Sequence, residues 1–74
     1  MKSVKPMKGK EFAAIRAKLD CSAVEFARAL GYGAAEATAT VMMSRFENGA
    51  RAIPSAVGRL ARMFDRHGIP GDFQ

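Results

Sequence analysis

One cysteine and one histidine are all that this 74-residue chain has of thiol and imidazole. A lone Cys21 excludes an intramolecular disulfide, which makes a reducing cytosol the natural setting. We expect it to be a small packed side chain between two helices. His67 falls at the end of a helical stretch, where a cation suits the macrodipole without any catalytic role. No nucleophile–base pair and no metal-ligand spacing is visible, so we expect no enzyme, no cofactor, no metal and no small-molecule substrate. No window is as long and apolar as a membrane span. The charged N-terminus has no apolar segment, which argues against a signal peptide. β-Branched residues are sparse and no strand-like alternation persists, so helix is favoured throughout. Acidic residues are also scarce, at 7 against 12 Lys and Arg. The resulting charge of +5 and isoelectric point near 10.0 would draw the protein to polyanions.

What is present is enough for one domain, with a thin core and a stability on the order of 4–11 kcal/mol. Residues 1–8 carry Lys2, Lys5 and Lys8 around Pro6 and offer little to bury. They read as a mobile basic arm able to lie along phosphates. From Gly9 to Leu19 the spacing of Phe12, Ile15 and Leu19 predicts an amphipathic first helix. Ser22 followed by Glu25 forms a capping box that opens a second helix, and Gly31 supplies its left-handed stop. Phe26, Ala27 and Leu30 are that helix's buried face. After the turn at Gly31-Tyr32-Gly33, a third helix runs from Ala34 to Asn48, with Ala39, Met43 and Phe46 inward and Gly49 ending it. Glu36 in its first turn suits the dipole. Ala50 to Ile53 is a loop, and Pro54 opens a fourth helix built on Val57, Leu60, Ala61 and Phe64. Gly68 and Pro70 end this helix before a short tail, residues 68–74. The domain proper is residues 9–67.

Ser22-Ala23-Val24-Glu25-Phe26-Ala27-Arg28-Ala29-Leu30-Gly31, followed by Met43-Ser44-Arg45-Phe46-Glu47-Asn48-Gly49, resembles the helix-turn-helix family of phage Cro and repressor proteins, the Xre family. Arg51 and Pro54 continue the resemblance, which covers roughly residues 9 to 66. It implies an all-α domain of four to five helices whose third helix enters the major groove of DNA. Arg45 then resembles the position that faces base edges, with Thr40, Val41 and Ser44 on the same helix near that surface. Asn48 and Arg51 resemble loop positions that hold the DNA backbone, and Lys8 of the arm joins them. Arg16 and Glu47 resemble a structural ion pair between the first and third helices.

This sequence departs from the family pattern twice. Ala23 stands where the family often has a glutamine, so one donor is missing. The stretch from Gly31 to Phe46 also exceeds the usual turn plus helix. Either Ala34 to Thr40 lengthens the recognition helix, or it forms a longer loop before a helix of normal size. Glu36 and Thr38 therefore join the candidates for base contact, since a carboxylate can accept from cytosine. Arg59, Arg62 and Arg66 read as a solvated face of the fourth helix.

The expected function is a sequence-specific regulator of transcription, a repressor or autoregulator, bound to double-stranded DNA in a bacterial or phage-infected cytoplasm. We expect a homodimer that uses Met63, Ile69 and Phe73, and no membrane partner. The rival reading is a protein-interaction module on the same fold, an antitoxin or adaptor that meets an acidic partner.

Overall fold

Local signals in the chain set where its helices stop and where one of them starts. The computed structural model describes residues 6–73 and contains four α-helices: α1 (Gly9–Lys18), α2 (Ala23–Ala29), α3 (Glu36–Glu47) and α4 (Ser55–His67). A 3-10 turn at Gly71–Phe73 follows, and there is no strand among the described residues. None of these helices is long and apolar enough to cross a membrane.

α2 is bounded by side-chain and backbone chemistry at both ends. Ser22 Oγ accepts from the Glu25 amide at 3.1 Å, and Glu25 Oε1 accepts from the Ser22 amide at 2.8 Å. Two orphan donors of the first turn are thereby satisfied. At the other end Gly31 takes φ +94°, Tyr32 N–H donates to Ala27 O, and Gly31 N–H donates to Arg28 O. That crossed pair of bonds is a Schellman stop, which needs a residue in the left-handed region. α1 ends with the same two bonds, but there Asp20 holds φ +56°.

The core is aromatic. Phe12 of α1 lies 5.1 Å from Phe26 of α2 and 5.6 Å from Phe46 of α3, ring centre to ring centre. All three rings are fully buried, as are Met43 and Phe64. Burying each such side chain contributes about 1.5–3 kcal/mol. This three-ring junction therefore holds α1, α2 and α3 together more strongly than any surface contact. α3 packs against both α1 and α2, while α4 packs on α1. The inward positions expected from the spacing on α1 to α4 are buried or half-buried.

Two expectations need correction. Met7 is 6 % exposed and belongs to the core, so the arm does have something to bury. It meets the backbone of Gly58 in α4, where no side chain intervenes. Residues 1–5 of the arm lie outside the described residues, Lys2 and Lys5 among them. Ile53 lies in the loop where the sequence placed it, and it is buried, which carries the α3–α4 connection into the core. The third helix starts at Glu36, not at Ala34. Ala34 and Ala35 complete the connection from α2, and residues 36 to 40 form the first turn and a half of α3. The extra length thus divides between loop and helix.

The tail folds back against the helices. Ile69 packs against the core, and Phe73 sets its ring edge-on to Phe64 at 5.7 Å. Of the three residues expected to meet a second copy, only Met63 lacks such packing, at 43 % exposed.

Candidate functional site

The helical period divides α3 into two faces. Ala39, Met43 and Phe46 point into the core, which turns Ala37, Val41, Ser44, Arg45 and Asn48 outward. No carboxylate occurs between Ala37 and Arg45. Glu47, at the helix end, is engaged elsewhere.

The expected site residues fall into three neighbouring groups. Thr38, Val41 and Arg45 line a shallow depression of about 320 Å³ together with Ala37, Met42 and Arg51. Ala37 and Met42 were not among the expected residues. The i−4 spacing from Val41 points to Ala37, whereas half-buried Met42 needed the fold to reveal it. On the other flank Thr40, Ser44 and Asn48 border a second depression, shared with Arg16, Ala23 and Glu47. Lys8 and Arg51 border a third, beside Gly49. The N-terminal segment and the loop after α3 therefore bring two cations to one end of the helix.

Several of these side chains have settled partners. Thr40 Oγ1 donates to Glu36 O at 2.9 Å, a bond to the previous turn that commits its one donor. Glu36 is exposed at the first position of α3, on Thr40's flank and away from Arg45. Asn48 Oδ1 accepts from the Ala50 amide at 2.8 Å, which fixes the turn at Gly49, where φ is +81°. The amide nitrogen of Asn48 keeps two donors for other use. The Arg51 guanidinium stands 5.5 Å from the ring centre of Phe46, while Arg51 N–H donates to Arg45 O at 3.2 Å. Arg45 itself is exposed in the last turn and its side chain has no partner among the described residues.

Behind this face lies an ion pair. Arg16 Nε and Nη2 donate to Glu47 Oε2 and Oε1 at 2.6 and 2.9 Å, and Nη1 donates to Cys21 O at 3.2 Å. One guanidinium therefore joins α1, the α1–α2 turn and the end of α3. Hydrogen bonding to Glu47 raises the Arg16 pKa above its ordinary value, against the opposing effect of burial. Cys21 is half-buried, and burial pushes its thiol pKa up, with Glu25 and Asp20 adding to the effect. Glu25 is held below the usual carboxylate range by the bond from the Ser22 amide and then by the Ser22 side chain.

On α4, Lys18 Nζ stands 3.0 Å from Asp65 Oδ1, and Arg62 Nε stands 3.3 Å from Glu11 Oε2. These pairs spend both nearby carboxylates on the α1–α4 seam. The outward face of α3 has donors, methyl groups and one cation, Arg45, with Lys8 and Arg51 at its end and no negative charge between its first residue and Glu47. Such a surface suits an anion that also presents flat or apolar edges.

Comparison of the chain with models of protein families, with curated proteins and with solved structures returned no match.

Proposed function

We propose that this protein binds double-stranded DNA and regulates transcription, with α2 and α3 acting as a helix-turn-helix of the Cro/repressor kind. In this reading α3 enters the major groove and the body stays outside it. The observation that carries the reading is the outward face of α3. It presents unpartnered Arg45 among small neutral side chains, and Lys8 and Arg51 flank its end.

Each group has a place in that complex. Arg45 is the base reader, able to form a bidentate pair with the O6 and N7 of guanine. Val41, Ser44 and Thr38 share its face. Asn48 and Arg51, with Lys8, contact phosphates and set the register. Thr40 and Glu36 contribute less, because the Thr40 donor is already spent and Glu36 lies on the far flank. A single copy presents one such helix. Two copies would span half-sites about 34 Å apart, which makes a homodimeric repressor or autoregulator the simplest form.

Selection against a random duplex library, followed by affinity measurement across a salt series, tests the reading. We expect an enriched inverted repeat bound about 10³-fold above random DNA. The salt dependence should have a slope of roughly −0.9 per phosphate contact. No binding at low salt would overturn the proposal and favour an acidic protein partner.

A further inference from the structure

Resting on the duplex-DNA reading, we infer that Val41 is a specificity residue that packs against the 5-methyl group of a thymine, beside the base edge that Arg45 bonds. Three large apolar side chains stand exposed among the described residues: Val41, Met63 and Phe73. Phe73 has the Phe64 ring at its edge and Met63 lies on α4. Val41, 48 % exposed, is the one on α3.

Its surroundings give that exposure a chemical sense. Val41 stands with Ala37, Thr38 and Met42 in a depression whose other lining residues are Arg45 and Arg51. The floor is thus methyl-rich, the charged groups are both guanidinium, and no carboxylate takes part. A valine has no donor or acceptor with which to read a base. On the base edges of the major groove, the C5-methyl of thymine is the group that such a side chain can recognise. Branching at Cβ also holds Val41 in one strongly preferred rotamer on a helix. Its two methyl groups are therefore presented in a fixed direction.

The spacing along α3 locates the thymine. Val41 and Arg45 are four residues apart, on one ridge and about one turn of roughly 5.4 Å from each other. Base pairs are stacked about every 3.4 Å. The thymine then lies one or two base pairs from the guanine that Arg45 reads.

The test replaces each thymine of the selected duplex with deoxyuridine, one position at a time, and measures binding by wild type and by Val41→Ala. One replacement, within about two base pairs of an Arg45-dependent guanine, should weaken wild type about fourfold, as loss of one buried methyl group predicts. Val41→Ala should bind the parent duplex more weakly and be indifferent to that replacement. Val41 lies outside the core, so this variant should keep the wild-type helical circular dichroism, and Val41→Ser provides a second check. The inference is overturned if no replacement affects wild type, if Val41→Ala suffers the same loss, or if no thymine lies near that guanine. Selective binding with a flat deoxyuridine scan defeats this inference alone. Absence of duplex binding at low salt defeats it together with the reading it rests on.

Discussion

Arg16 and Glu47, 31 positions apart, form a two-bonded fork that ties the last turn of α1 to the last residue of α3. Their side chains are 29 % and 19 % exposed, so the pair is screened less than a surface pair yet is not fully desolvated. Glu47 also lies two residues from Arg45. The fork thus fixes the end of the helix whose outer face carries the candidate contacts.

Arg16→Met or Glu47→Gln should each cost about 1–3 kcal/mol, between the ranges for exposed and buried pairs. The double variant should cost less than the two single costs added together. Thermal unfolding of the four proteins measures this coupling. Additivity within about 0.3 kcal/mol would show that the fork contributes nothing as a pair.

Gly9 and Gly58 should respond differently to alanine. A Cβ on Gly9 would lie 2.4 Å from Glu47 O and 2.6 Å from Phe46 O, both backbone atoms that cannot swing aside. Gly9→Ala should therefore cost about 2 kcal/mol or more through overpacking. A Cβ on Gly58 meets Met7 Cβ at 3.3 Å, a much milder approach. There the gain of about 1 kcal/mol in helix propensity offsets the crowding, so Gly58→Ala should stay within about 1 kcal/mol of wild type. Denaturant midpoints decide the matter, and equal effects at the two sites would contradict this packing.

The capping box predicts acid sensitivity. Glu25 has a folded-state pKa below its unfolded value, so its charge adds stability above the unfolded pKa. That contribution is lost as pH falls through the depressed folded value. Glu25→Gln can keep the bond from the Ser22 amide but has no proton to gain. Its stability should fall less than wild type between about pH 6 and 3. Parallel profiles would contradict the assignment.

Cys21 should be a slow thiol. Burial raises its pKa, and the thiolate is the reactive form. Alkylation near pH 8 should be several-fold slower in the folded protein than in denaturant. Equal rates would place the thiol in open solvent.

How much of this was readable depends on the range of the interaction responsible. The Ser22–Glu25 box and the stops at Gly31, Gly49 and Gly68 act over a few residues, and sequence spacing displays them. The inward rows of α1, α2 and α3 follow from the helical period. Met7 and Ile53 were not readable as core, because each is buried by a surface that exists only once α4 has docked. The need for Gly9 likewise arises from carbonyls of residues far along the chain. The start of α3 at Glu36 was half-visible: its charge marks a first turn, but alanines 34 and 35 carry no cap to announce it. At the candidate site, Arg45, Val41 and Asn48 were legible from helix position and motif. The grouping of Arg45 and Val41 with Met42, and the arrival of Lys8 beside Arg51, needed the fold.

Binding of the selected duplex by Arg45→Ala and Arg59→Ala, beside wild type, tests the central claim most directly. Arg45 lies on the outward face of α3, and Arg59 is an exposed cation on α4 outside the proposed site. Arg45→Ala should weaken specific binding roughly 5- to 150-fold, the worth of one bidentate base contact, and affect random DNA far less. Arg59→Ala, which removes the same charge, should stay within about threefold of wild type on both, since any contribution is long-range and screened. If Arg45→Ala binds like wild type, or Arg59→Ala loses as much, the proposal that the outward face of α3 reads DNA is contradicted.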